Sequence, residues 1–372
     1  MILLAICIIF LLLYAALIFY YRKGWSMTMP QAEPANIDGA RLSVVVAARN
    51  EEATIGHLLD ALAKQSLSPG LFEIIIVDDH STDDTRAVVQ RSALPVRLLT
   101  SAADVGRSSK KKAIETGVHA AVGELIVTTD ADCLPGPHWL RSIYDCYAST
   151  GANFIAAPVK FLHDDSMLQR FQALDFMTLQ GITAASVRLQ FHTMCNGANL
   201  AYRRQCFLDV RGFEGIDRVP TGDDMLLMHK IWKLAPERVV YLKEAEAIMA
   251  TQPAATWKEF VNQRKRWASK TFVYDDRRIP AVLIFVYLLN LLFPLLLITA
   301  LWHPRTWLLA LGFVVVKTLI EVPFVSAVAG FYGERRLMRH FFFFQPLHIL
   351  YTVSVGLLSQ VRGYEWKGRR TK

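Results

Sequence analysis

Apolar residues crowd the two ends of the chain, while apolar and polar positions alternate through its middle. Residues 1–21 carry no charge, and the stretches 279–302, 306–329 and 340–361 are nearly as apolar. Each is long enough to cross about 30 Å of hydrocarbon as a helix. From Arg41 the pattern changes to short Val- and Ile-rich runs: Leu42–Ala47, Glu73–Val77, Val96–Leu99 and Glu124–Thr129 read as strands. Between them Ile55, Leu58, Leu59 and Leu62 recur at helical spacing, and further helices are expected from about Asp83 and over Lys112–Val122. Strands alternating with helices predict an α/β fold with a Rossmann-like, mostly parallel sheet, here joined to transmembrane α-helices. The expected division is an N-terminal membrane helix over 1–21, a soluble core over 40–270, and a membrane region of two or three helices over 279–361.

The residues flanking the apolar runs refine this division. Arg22 and Lys23 follow the first run, beside Tyr20, Tyr21 and Trp25. A signal peptide begins with positive charge and ends in a cleavage site, so this segment reads as an uncleaved anchor with the following domain in the cytoplasm. Lys317 and Glu321 lie four residues apart on one face of the third run. That face is either functional or neutralised against a neighbouring helix. If all four runs span, the basic tail from Arg362 falls outside, against the charge rule. Pro346 and His348 leave a re-entrant or interfacial path for 340–361 open.

Composition adds two exclusions. The net charge of +8 is spread over clusters that mostly flank apolar runs, such as Arg264–Arg266 and Arg335, Arg336 and Arg339, and no zinc-finger spacing occurs. Membrane headgroups, not nucleic acid, are the partner this distribution suits. The five cysteines form no C-x-x-C pair, which argues for reduced thiols and against structural zinc.

Chemistry concentrates at two strand ends. Asp78–Asp79 closes the second expected strand, and Asp130-Ala131-Asp132 closes the fourth. Parallel sheets bind ligands beyond the carboxyl ends of their strands. A lone D-x-D is as readily a polar loop, but two acidic clusters at such ends suit a phosphate-bearing ligand. Asp78 or Asp79 would accept hydrogen bonds from a base and ribose. Carboxylates of the second cluster would hold Mg²⁺ or Mn²⁺, hard ions that bind one or two carboxylates plus substrate phosphates.

Six segments then carry a family resemblance: Ser43–Glu52, Val77–Thr82, Thr129–Asp132, Cys195–Asn199, Thr221–Asp224 and Gln263–Trp267. Over about residues 40–270 the chain resembles the family 2 glycosyltransferases of GT-A fold. The last segment matches the Q-x-x-R-W pattern of membrane-bound members, among them cellulose, hyaluronan and poly-N-acetylglucosamine synthases and ceramide glucosyltransferases.

This resemblance implies a role for each segment. Ala47, Arg49, Glu51, Asp78 and Asp79 would surround the nucleotide, although Arg49 and Glu51 also suit a helix start. Asp130 and Asp132 would flank the metal and diphosphate, with Asp132 the direct ligand. Lys110, Lys111 and Lys112 open a helix facing the phosphates, with Lys111 the expected donor contact. Asp224 takes the place of the catalytic base, beside Asp223 where the family more often has Glu; helix capping is the other reading of this pair. Asn196 and Asn199 would form part of the acceptor wall. Gln263, Arg264, Arg266 and Trp267 would close over the acceptor and contact the diphosphate, or serve as an interfacial anchor. The run Met167–Leu189 reads as a core helix or an amphipathic one on the membrane.

The resulting expectation is an inverting hexosyltransferase at the inner membrane of a bacterium, moving a sugar from a UDP-sugar to a lipid or lipid-linked glycan acceptor. A processive β-polysaccharide synthase is the alternative. Three or four membrane segments make a small channel for that, unless further copies or a partner subunit contribute. A membrane nucleotidyltransferase or a non-catalytic scaffold leaves Asp224 and the Gln263–Trp267 motif unexplained.

Overall fold

The computed structural model describes residues 2–28, 40–102, 109–164, 166–217, 219, 222–269, 276–361, 364–366 and 369–371. Met1, Thr221, Arg362 and Lys372 lie outside the described residues. The chain forms two compact units, one from Thr28–Leu162 and Val187–Gln252, the other from Met1–Met27, His163–Ser186 and Pro253–Lys372.

The first unit is built on strands β1 (Leu42–Ala48), β2 (Phe72–Asp78), β3 (Val96–Thr100), β4 (Leu125–Asp130), β5 (Leu134–Pro135), β6 (Phe154–Ala156), β7 (Val159–Phe161), β8 (Leu200–Arg203), β9 (Val239–Tyr241) and β10 (Met249–Thr251). Seven of them make one sheet in the order β3-β2-β1-β4-β8-β6-β9, in which β8 alone runs antiparallel to its neighbours. A small sheet, β5-β10-β7, lies apart from it. Val44, Val45, Ile75, Ile76, Ile126 and Val127 are completely buried, as strands covered on both faces require.

Helices α2 (Ile55–Ala63), α3 (Thr85–Gln90), α4 (Ser109–Ala120), α5 (Trp139–Thr150), α7 (Arg204–Asp209) and α8 (Met225–Leu234) complete this unit. The four apolar positions expected of α2 are its four buried residues. Helix α4 meets the sheet through Gly117, where a Cβ would stand 2.3 Å from Val45 Cγ1. That close approach brings the first turn of α4 to the strand ends.

The second unit contains α1 (Ile2–Met27), α6 (Met167–Arg188, all but its last two residues), α9 (Trp257–Ala268), α10 (Arg278–Ala300), α11 (Thr306–Phe331) and α12 (Met338–Val361). Four helical stretches here, Ile2–Met27, Arg278–Ala300, Thr306–Phe331 and Arg335–Ser359, are long and apolar enough to cross a membrane. Helix α12 continues unbroken through Pro346, whereas a re-entrant segment needs a break.

The charges on α11 face protein. Buried Lys317 donates to Glu321 Oε1 at 2.6 Å and to Gln345 Oε1 at 3.0 Å, while Tyr14 and Gln345 donate to the same Glu321 carboxylate. The pair is thus hydrogen-bonded from α1, α11 and α12, the condition under which buried charges are tolerated among apolar helices.

Candidate active site

The register of the sheet sets the two acidic clusters side by side. Ala48 pairs with Asp78 on one side of β1, and Ala47 pairs with Asp130 on the other. The clusters therefore lie about 10 Å apart, two strand spacings, at the same carboxyl edge. The loops leaving that edge are locked to each other: Asn50 N–H donates to Ser81 Oγ, and Asn50 Oδ1 accepts from Thr82 N–H. Asn50 and His80 both hold left-handed backbone, with φ of 52° and 57°. Strain of this kind persists only where surrounding bonds over-determine it, and it collects at functional sites.

Asp78 and Asp79 are buried, and each faces an arginine. Arg86 meets Asp78 at 3.1 Å, and Arg49 meets Asp79 at 3.4 Å while also donating to its carbonyl. The Glu51 carboxylate accepts from Thr54 Oγ1 at 2.7 Å, and its carbonyl accepts from Thr54 and Ile55 N–H at the start of α2. Glu51 thus has the helix-starting contacts its position allows, beside the expected nucleotide site.

The second cluster gathers around Lys110. Its Nζ lies 2.6 Å from Asp130 Oδ1 and 3.3 Å from Asp223 Oδ2. Burial works against this charge, but Asp130, Asp223 and Asp224 outweigh it and hold the lysine pKa above its ordinary value. Lys111, the expected donor contact, turns the other way. It is buried and donates to the carbonyls of Ile216 and Val219, both at 2.7 Å. Adjacent helical residues point about 100° apart, so only one of the two can face the carboxylates.

Asp224 stands at the start of α8. Its Oδ1 accepts from Met225 N–H at 2.8 Å and its Oδ2 from Gly197 N–H at 3.1 Å. Asp224 caps the helix, and the two bonds fix the direction of its partly exposed carboxylate. Gly222, with φ of 78°, makes the turn that delivers Asp223 and Asp224.

Asp130, Asp132 and Cys133 each offer a donor atom within 4.8 Å of the others. Two carboxylates suit a hard divalent cation. The Cys133 thiol is a soft donor, which such a hard ion does not select. The residues fit Mg²⁺ or Mn²⁺ bound through oxygen.

The two asparagines of the Cys195–Asn199 segment part company. Asn196 is partly exposed, with Oδ1 accepting from Ala198 N–H. Asn199 is completely buried and cannot line an acceptor site. It accepts from Trp139 Nε1 at 2.9 Å and donates to the carbonyls of Pro158 and Ala247 at 2.8 Å. Asn199→Ala strands one buried donor and two carbonyls, so a loss of about 1–3 kcal/mol is expected in chemical denaturation. Unchanged stability with weakened acceptor binding would restore the acceptor-wall reading.

In the other unit, the Gln263–Trp267 motif lies on α9. Arg264 is not open to a phosphate: it is buried, with Nη2 2.6 Å from Asp175 Oδ2. Its guanidinium lies 4.2 Å from the Trp267 ring centre and 4.8 Å from that of Phe260. Gln263, Arg266 and Trp267 are partly exposed. Asp175 has no motif signal of its own, and neither do Lys110's choice of partners or the Gly197 N–H.

Residues 40–270, well over half of the chain, match the family described as glycosyltransferase like family 2. The chain belongs to that family. The fold of this family 2 glycosyltransferase is GT-A. It superposes on the mannosyltransferase PcManGT from Pyrobaculum calidifontis, solved with GDP-Man and Mn²⁺, with a TM-score of 0.62 and 20% identity, covering 96% of this chain and 99% of that one. Glycosyltransferase AglE of Haloferax volcanii is 23% identical over 226 residues, 60% of this chain and 71% of its own. Dodecaprenyl-phosphate galacturonate synthase of Rhizobium johnstonii is 35% identical over 112 residues, 29% of this chain and 32% of its own. The family 2 chain thus matches about a third of that last relative's length.

Proposed function

We propose that this glycosyltransferase moves a sugar, with inversion, from a UDP-sugar to a hydroxyl of a membrane lipid or lipid-linked glycan at the cytoplasmic membrane face. The observation that carries the reading is Asp224, aimed by Gly197 and Met225 beside the Lys110–Asp130–Asp223 cluster. Arg22 and Lys23 after the first apolar run support the cytoplasmic placement. Two relatives, one named a dodecaprenyl-phosphate galacturonate synthase and one solved with GDP-Man and Mn²⁺, support a nucleotide-sugar donor and a lipid acceptor.

In the proposed reaction the acceptor oxygen attacks the anomeric carbon from the face opposite the diphosphate. Asp224 takes the proton from that oxygen as the new bond forms. Asp78 and Asp79 accept hydrogen bonds from the nucleoside, and Lys110 offsets charge on the departing diphosphate. Asp130 and Asp132 would hold Mg²⁺ or Mn²⁺, which supplies further charge neutralisation for that leaving group.

The test is a panel of labelled nucleotide sugars given to the detergent-purified protein with a membrane lipid extract. One donor should be consumed and its label should enter an organic-soluble product with inverted anomeric configuration. Label in a large polymer would move the reading to a processive synthase. Donor consumption with no glycosylated product would sink both.

A further inference from the structure

Helix α9 carries the Gln263–Trp267 motif and packs through aromatic rings: Trp257 and Phe260 meet Phe171, Phe260 meets Tyr351, and Trp267 meets Phe176. Of its twelve residues only Phe260 and Arg264 are buried. Apolar ring contacts are non-directional, so a hydrogen-bonded charge adds what they lack, a fixed direction. The second buried residue is a charge, and its partner is equally buried: Arg264 and Asp175 side chains are each 4% exposed.

The surroundings make this pair directional. Asp175, on α6, takes Arg264 on one carboxylate oxygen and the Tyr351 hydroxyl of α12 on the other, both at 2.6 Å. His348 Nε2 stands 3.6 Å from the oxygen that Tyr351 uses. Phe171 packs edge-on against Phe260, Phe344 and Tyr351, closing the node in aromatic rings. Within α9, Arg264 stacks between Phe260 and Trp267, its neighbours four residues before and three after. A planar guanidinium clamped by two rings and one fixed carboxylate has a single orientation.

We infer that Asp175 is a positioning residue for the transfer reaction: by holding Arg264 it sets the roll of α9 and so the direction in which Gln263, Arg266 and Trp267 point. The inference rests on the proposed role of that motif at the diphosphate and acceptor. Asp175 touches neither substrate. It acts through Arg264, and Tyr351 braces it from α12.

A buried ion pair can be replaced by apolar residues of similar volume without loss of stability, which separates positioning from packing. The full-length Asp175→Leu/Arg264→Met double variant in detergent should stay folded and melt a few degrees below the wild type, because the Tyr351 hydroxyl loses its acceptor. Amide exchange over 257–268 should nevertheless quicken about tenfold, with α8 at 225–234 unchanged as the internal control. Transfer turnover should fall about tenfold while binding of the free nucleoside stays within about twofold, because the nucleoside contacts are assigned to Asp78 and Asp79 in the other unit. Unchanged exchange and turnover in the folded double variant would overturn the inference. Should that variant fail to fold, Tyr351→Phe removes one hydroxyl only. It should quicken exchange over 257–268 and lower turnover about threefold, and wild-type values there would overturn the inference equally. A wild type that transfers to no acceptor refutes the proposed function instead, and the exchange measurement still decides the role of Asp175.

Discussion

Asp224→Asn should fold normally and transfer sugar about 10²- to 10⁴-fold more slowly than the wild type, the range general base catalysis contributes. The comparison is informative because Asp224 has two jobs. It caps α8 through Met225 N–H and receives Gly197 N–H. Asparagine caps helix starts as well as aspartate, so the cap survives. Losing the second acceptor oxygen removes one hydrogen bond, about 1 kcal/mol. A melting curve near the wild type together with a collapsed single-turnover rate would assign the carboxylate to proton removal. Asp224→Ala, which also loses the cap, should be less stable by about a further 1 kcal/mol. If Asp224→Asn keeps its rate while Asp223→Asn loses it, the base is Asp223 and Asp224 is only a cap.

Chelation should abolish turnover, and Mn²⁺ or Mg²⁺ should restore it; Asp132→Ala should cut the metal-saturated rate by about 10²-fold or more, since charge stabilisation by such an ion amounts to several kcal/mol. Asp130 and Asp132 supply the hard oxygens, and Lys110 already balances part of the charge on Asp130. Cys133→Ser should leave the metal requirement unchanged, because a hard ion is held by the carboxylate oxygens and not by a soft thiol. Metal titrations followed by nucleotide release would read all three results. Full activity in excess chelator would remove the metal from the proposed mechanism. A raised metal requirement in Cys133→Ser would make the thiol a ligand.

Much of this was legible in the sequence because it is local. Buried parallel strands announce themselves as Val- and Ile-rich runs, and α2 shows its buried face at three- and four-residue spacing. Acids that close such strands sit where parallel sheets bind ligands. Long uncharged runs are likewise a property of contiguous residues, and the four helices at 2–27, 278–300, 306–331 and 338–361 follow them closely.

Which side chains meet was another matter. Three consecutive lysines look alike on paper, and only the packing of Gly117 on Val45 turns Lys110 to the carboxylates and Lys111 to the loop carbonyls. Asn199 shares a motif with Asn196 yet is buried, because partners 60, 41 and 48 residues away close around it. Arg264 stands in a motif expected at a phosphate, but a carboxylate 89 residues earlier claims its guanidinium. By itself the sequence was enough for β1 to β4, α2, the long apolar helices, the acids at the strand ends and the family. Tertiary structure decided which of the candidate polar groups face the site, because a buried charge or amide must find a partner and that partner can come from anywhere in the chain.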